Sequence, residues 1–271
     1  MTMYTFTAAG PEHATDDDVQ PKPRVLQLVG VCVSFDGLAV LDELDFSMDA
    51  GETRFLIGPN GAGKTTMLDV IIGRTRPARG FVTYDEIVDV REHTEHELVR
   101  LGVGRKFQTP AVFRSLTVYE NLVVALGFRD TWPNLLRRLS TEQYDRLVDT
   151  LTMVDLLAKA DSVAGQLSHG ELQWLEIAML LVQEPKLLLL DEPVAGMTRP
   201  ERDKTGELLR SLAGRCSILV VEHDMAFVRE FAQTVTVLHL GKILSEGTVQ
   251  QVQSDPRVVE VYLGHRHRSA S

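Results

Sequence analysis

The stretch that decides the fold is Gly58-Pro59-Asn60-Gly61-Ala62-Gly63-Lys64-Thr65, followed at once by Thr66. It comes after the apolar run Phe55-Leu56-Ile57 and opens a helical pattern, Lys64 to Ile72, that stops at Gly73. A G-x-x-x-x-G-K-[ST] pattern between a strand and a helix is a phosphate-binding loop. Its glycines let backbone N–H groups close around phosphate oxygens, and the start of the following helix adds a favourable dipole. Lys64 reaches the β and γ phosphates, and the Thr65 hydroxyl can ligate Mg²⁺. A chance glycine-rich turn is the competing account, and the strand before and helix after weigh against it.

A second apolar strand, Leu187 to Leu190, ends in Asp191-Glu192. A parallel strand delivers such residues to the ligand edge of its sheet. Alone, an acidic pair at a strand end is more often solvated loop. Beside the Lys64 loop, Asp191 is expected to hold Mg²⁺ and Glu192 to polarise the attacking water. The segment Leu167-Ser168-His169-Gly170-Glu171 has Ser at a helix start and Glu three residues on, so at minimum it is a capping box. The helix it opens is expected over Ser168 to Gln183.

Elsewhere, Val25, Leu26, Leu28, Val29, Val31 and Val33 lead into Phe35, Leu41, Leu44 and Phe46, with Gly37 and Asp42 as turn-forming breaks, which predicts antiparallel strands. Tyr119 to Leu126, Leu135 to Leu139 and Glu142 to Leu157 carry apolar residues at helical spacing and predict a helical subdomain over about 109–165. A helix around Glu201 to Leu212 and a strand Ile218 to Val221 follow. Then come a strand pair, Val235 to Leu240 and Lys242 to Ser245, turning at Gly241, and two short helical pieces broken at Asp255-Pro256. Strands alternating with helices imply a parallel sheet covered on both faces. The expected organisation is a disordered extension over 1–24, one domain over 25–264 and a flexible tail over 265–271.

With 271 residues, 44% of them hydrophobic, the chain can bury a substantial core. Its longest apolar runs fall far short of the roughly 20 residues that span a bilayer. Met1 to Gly10 lacks the basic and apolar regions of a secretory signal, so cytoplasm is the expected compartment. Cys32 and Cys216 sit in apolar contexts without metal-ligand spacing and are expected as buried hydrophobes. A net charge of −10 would repel a nucleic-acid backbone, so no nucleic-acid partner is expected, and His265-Arg266-His267-Arg268 suits a frayed terminus.

These motifs, in this order from Val25 to Gly264, resemble the ABC ATPases. The resemblance implies an α/β P-loop NTPase fold of the ABC nucleotide-binding type, with a parallel-sheet core, an antiparallel β subdomain and an inserted helical subdomain. Residues 167–171 fall at the family signature, usually Leu-Ser-Gly-Gly-Gln, and depart from it at His169 and Glu171. In the family this helix start, here Ser168, His169, Gly170 and Glu171, meets the γ-phosphate of ATP held by a second subunit. Gln108, in Arg105-Lys106-Phe107-Gln108, falls at the loop that couples Mg²⁺ and the γ-phosphate to the membrane subunits. His223 falls at the switch histidine that contacts the γ-phosphate. Phe35 would stack on adenine, although a core role competes for it. Pro193 to Thr198 matches the family's D-loop, where Asp or Asn is common at the position of Thr198. ATP and Mg²⁺ are the implied cofactors. The implied partners are a second ABC ATPase subunit, identical or paralogous, transmembrane permease subunits and, indirectly, a periplasmic or extracellular substrate-binding protein. The implied place is peripheral, on the cytoplasmic face of the inner membrane.

Within the family, Gly104 to Pro110, Leu116 to Leu122 and Asp255 to Gly264 are similar to the ATPases of branched-chain amino-acid and urea importers. The set Leu167 to Gly170, Gln173 to Ile177 and Glu192 to Thr198 is most similar to urea importers. An ATPase of lipopolysaccharide export would use the same site for another cargo. A soluble ABC protein acting on ribosomes or DNA is a rival from another class; the ribosomal forms usually carry two such domains joined by a linker, whereas this chain has one set of motifs and an acidic balance. Glu192 and His223 argue against a nonhydrolytic regulatory subunit, and a small-molecule kinase would leave the Ser168 segment unexplained.

Overall fold

Antiparallel pairing begins where the alternating apolar pattern begins. The computed structural model describes residues 23–106, 111–127 and 139–268, so the extension up to residue 22, Gln108 and most of the expected helix Leu135 to Leu139 lie outside the described residues. Strands Arg24–Phe35 (β1) and Leu38–Asp49 (β2) form a hairpin that turns at Asp36-Gly37. Arg24 is already paired with Asp49, so the domain starts one residue before the expected boundary. Asp42 does not break the hairpin. The pairing shifts register there instead, and Glu43 takes a left-handed φ of 49°.

Thr53–Ile57 (β3) is buried at every position and leads into Lys64–Ile71 (α1). Next come Arg79–Tyr84 (β4), Val88–Asp89 (β5), Glu95–Leu101 (α2) and Val103–Lys106 (β6), none of which has an apolar pattern long enough to predict it. Strands β4 and β5 complete a four-stranded antiparallel sheet in the order β2-β1-β4-β5. Among the described residues, the α-helices of the expected helical subdomain are Val118–Gly127 (α3) and Thr141–Met153 (α4), the latter capped by Ser140; Leu139 lies just outside that cap and is not helical.

His169–Leu181 (α5) precedes Leu187–Asp191 (β7), Arg199–Leu212 (α6), Ser217–Val221 (β8) and Met225–Phe231 (α7). Thr234–His239 (β9) and Lys242–Gly247 (β10) pair antiparallel at the edge of a six-stranded sheet ordered β10-β9-β3-β8-β7-β6, whose other neighbours run parallel. Val249–Ser254 (α8) and Pro256–Arg268 (α9) end the described chain. The last helix carries past the expected boundary at Gly264, anchored by Val258 and Tyr262 against the core.

Side-chain alternation on the parallel strands divides the interior in two. Phe55, Ile57, Leu188, Leu190, Ile218 and Val220 join one core with α3, α4, α5 and α6. Leu56, Leu187, Leu189, Leu219 and Val221 join another with α1 and the antiparallel sheet. Each fully buried Leu or Val contributes about 2 kcal/mol, so the apolar runs that marked these strands also hold the two layers to them.

Candidate functional site

The glycine-rich loop leaves β3 between β8 and β9 and is pressed against β9. A Cβ at Gly58 would lie 2.1 Å from the carbonyl oxygen of Leu238, so no other residue fits there. Gly241 N–H donates to Ala62 O at 3.0 Å, and Ala62 N–H to Pro59 O at 3.2 Å, while Asn60 and Gly61 stay exposed. Helix α1 starts after Gly63 with no side-chain cap and no acidic residue in its first turn. Its first N–H groups therefore remain an anion site. Lys64 Nζ donates to Gly58 O at 2.8 Å and Pro59 O at 3.0 Å. Burial pulls the Lys64 ammonium below its usual pKa, and the charges of Glu192 and Asp191 oppose that pull. Thr65 is exposed and Thr66 half-buried in the same turn.

Asp191 ends β7 opposite Val221 of β8 and is 2% exposed. Burial pushes its carboxyl above the ordinary range, against the positive charge of Arg105. Arg105 Nη1 is itself 2.6 Å from Asp69 Oδ1 on α1, which ties β6 to the helix behind the loop. Glu192 leaves the strand with a left-handed φ of 48° and donates its N–H to Val221 O at 2.9 Å. That turn carries its carboxylate across to the end of β8, where Glu192 Oε1 is 3.3 Å from His223 Nδ1. Lys64, Asp191, Glu192 and His223 thus converge from three adjacent strand ends, on residues far apart in sequence.

Glu222 carries no motif signal, yet it organises this corner. It is 1% exposed, and burial pushes its carboxyl upward. It accepts backbone N–H groups from Val194 at 3.3 Å, His223 at 3.1 Å and Asp224 at 3.4 Å. Only its place immediately before His223 could have drawn attention to it.

The Ser168 helix start is built separately. Ser168 Oγ accepts Glu171 N–H at 3.2 Å, and Glu171 Oε2 accepts Ser168 N–H at 3.0 Å. Glu171 also pairs with Lys159 at 2.5 Å. A Cβ at Gly170 would lie 2.4 Å from Glu201 Oε1, which fixes α5 close to the start of α6. His169 Nε2 lies 3.2 Å from Ala195 O. Among the described residues no hydrogen bond or ion pair joins Ser168 to Glu171 with the Lys64 loop. Phe35 is 50% exposed beside the hairpin turn, which is not a core position.

A metal would have few protein ligands here. Among the described residues no group of three or more His, Cys, Asp or Glu is arranged to hold one. Mg²⁺ commonly takes one or two protein oxygens and completes its shell with phosphates and water. The Asp191 carboxylate and Thr65 hydroxyl, both hard oxygen donors beside a phosphate loop, fit that habit. Among the described residues no helix is long and apolar enough to cross a membrane.

The chain has known relatives. A family model described as "ABC transporter" matches residues 41–195, and one described as "Branched-chain amino acid ATP-binding cassette transporter" matches residues 242–268. The high-affinity branched-chain amino acid transport ATP-binding protein LivG of Salmonella typhimurium is 34% identical, covering 89% of this chain and 98% of its own length. An ATP-binding cassette of an ABC transporter solved in its ADP conformation superposes with a TM-score of 0.77 at 30% identity, over 89% of this chain and 99% of its own. A dimeric post-hydrolysis cassette bound to ADP and Pi superposes with a TM-score of 0.70 at 26% identity, over 83% of this chain and 98% of its own.

Proposed function

This chain is an ATPase of the ABC transporter family, and from that premise we propose that it powers an importer by closing on ATP as half of a two-site dimer. The observation that carries the proposal is the 3.3 Å approach of Glu192 and His223 beside the Lys64 loop. In this scheme the backbone N–H groups of Gly58 to Gly63 and of the α1 start bind the phosphates. Lys64 leaves the carbonyls of Gly58 and Pro59 to pair with the β and γ phosphates, and Phe35 stacks on the base. Thr65, Asp191 and Gln108 would hold Mg²⁺, which neutralises charge on the transferred phosphoryl group. Glu192 orients the attacking water and takes up its proton, and His223 contacts the γ-phosphate.

The Ser168 helix start of a second subunit covers the γ-phosphate from the opposite side. The dimeric relative bound to ADP and Pi supports a two-subunit assembly. The exposed Ser168 and His169, which meet nothing in their own Lys64 loop, support that placement independently. Closure on ATP and opening after hydrolysis would switch permease subunits between inward- and outward-facing states, because ATP binds the closed form more tightly. The chain would sit at the cytoplasmic face of the membrane, with the helical subdomain, especially Thr109 to Asn121, next to those subunits and a substrate-binding protein acting on the far side.

For the cargo we favour urea, on the resemblance carried by Leu167 to Gly170, Gln173 to Ile177 and Glu192 to Thr198. Branched-chain amino acids are the second reading, supported by the LivG relative and by the match over residues 242–268. Uptake of labelled urea and labelled leucine is to be compared in cells carrying the native chain or Glu192→Gln. Loss of urea uptake alone supports the first cargo, and loss of leucine uptake alone supports the second. If neither changes, the import proposal gives way to export or a role outside transport.

A further inference from the structure

Pro193 to Thr198, between Glu192 and α6, is gripped at two consecutive residues. Val194 N–H donates to Glu222 Oε1 at 3.3 Å. The next carbonyl, Ala195 O, accepts from Gln173 Nε2 at 2.8 Å. Gln173 is 2% exposed, so like Glu222 it makes these bonds away from competing water, where they hold geometry most strictly. Gln173 Nε2 also lies 2.8 Å from His169 Nε2. With the His169 ring in its Nδ1–H form, one amide group donates to both His169 and Ala195. At the other end the Glu222 carboxylate holds the N–H groups of His223 and Asp224. Hydrogen bonds, joined by the Val194–Ala195 peptide, therefore run from the backbone of His223 through Glu222 and Gln173 to His169 beside Ser168.

We propose that Glu222 and Gln173 are positioning residues that link His223, in a subunit's own nucleotide site, to the Ser168 helix start it offers to the other site. The proposal rests on the two-site dimer reading above. Neither side chain touches nucleotide. Glu222 bridges two chain segments with one rigid carboxylate, so His223 cannot shift without shifting Val194. Gln173 carries that displacement from Ala195 to the first turn of α5. Through this link, loss of the γ-phosphate at one site loosens the surface that completes the other.

The test compares Glu222→Gln, Gln173→Met and the double variant in the full chain with its partner subunits. Glu222→Gln keeps the shape and one acceptor oxygen but sets an amide NH₂ against a backbone N–H; Gln173→Met keeps the length and loses the donor. ATP turnover should fall about tenfold in the first and about threefold in the second, with KM within about twofold of wild type. The double variant should be no slower than Glu222→Gln alone, because one link is broken only once. Amide hydrogen exchange should quicken in Glu222→Gln over 167–173 as well as 222–226, and in Gln173→Met over 222–226 as well as 167–173. Multiplicative losses, with exchange changed only around each substitution, would mean two local packing contacts and overturn the link. So would unchanged turnover with a lowered thermal midpoint. If Glu222→Gln does not fold, exchange over 222–226 in Gln173→Met decides the matter. If the wild-type chain never dimerises on ATP, the two-site reading fails, while the exchange data still answer whether the link exists.

Discussion

Two helix starts in this molecule treat their backbone N–H groups in opposite ways. Helix α1 begins at Gly63 with no side-chain cap, so its first-turn donors remain open until an anion arrives. Helix α5 begins at Ser168 with a closed capping box, and its Glu171 places negative charge in the same first turn. The first is a receptor, incomplete by construction. In the second, the N–H groups of Ser168 and Glu171 already have acceptors in each other's side chains, which helps an exposed tip stay folded with nothing docked on it. A site divided between subunits needs one of each: an open cradle that holds ligand in the separated state, and a pre-ordered surface that adds contacts only on closure.

The largest expected effect lies at the open start. Lys64→Ala should weaken ATP binding at least tenfold, since charge-assisted hydrogen bonds to phosphate contribute about 1.5–3 kcal/mol. Nucleotide titration measures it, and normal affinity would remove the loop from its role. At the capped start, Glu171→Gln keeps an acceptor for Ser168 N–H while removing a charge that would face the γ-phosphate in the proposed dimer. In a Glu192→Gln background, ATP-dependent dimerisation followed by size-exclusion chromatography should tighten a few-fold. Unchanged or weaker association would mean that Lys159 already neutralises Glu171.

The smallest effect concerns pH. Burial pushes the Glu171 carboxyl up, but Lys159 and the N–H and hydroxyl of Ser168 together hold it below the ordinary range. A depressed folded-state pKa gives stability that is present above the unfolded value and lost as pH falls through the folded one. The thermal midpoint of wild type should therefore exceed that of Glu171→Gln near neutrality. The gap should shrink as pH drops below about 4. A gap that does not change with pH would mean that the ionised carboxylate adds nothing to the cap.

What could be seen in the sequence was local. The strand, loop and helix at 55–72, the Leu187 to Leu190 run before Asp191-Glu192 and the Ser168 cap are each written in consecutive residues. Strand β6 was not legible because it ends in Arg105-Lys106, which would ordinarily signal solvent. Both are buried, and their partners Asp69 and Glu176 lie on α1 and α5. Glu222 was hidden for the same reason: its burial depends on Val194 N–H, which belongs to a different strand end. Asp42 misled in the other direction, since a polar residue at a register shift looks like a turn.

The alternating strands of the parallel sheet have a mechanical consequence. One core lies on each side of the same backbone, so the sheet is a party wall that neither compartment can lose without exposing the other. Large-scale loosening on either side is therefore coupled across it, and heating should melt both compartments together. Movement that leaves the wall standing is confined to pieces attached to one side only. Helices α3 and α4, which pack in a single core, are such pieces, and they can pivot while Asp191, Glu192 and His223 stay fixed to their strands.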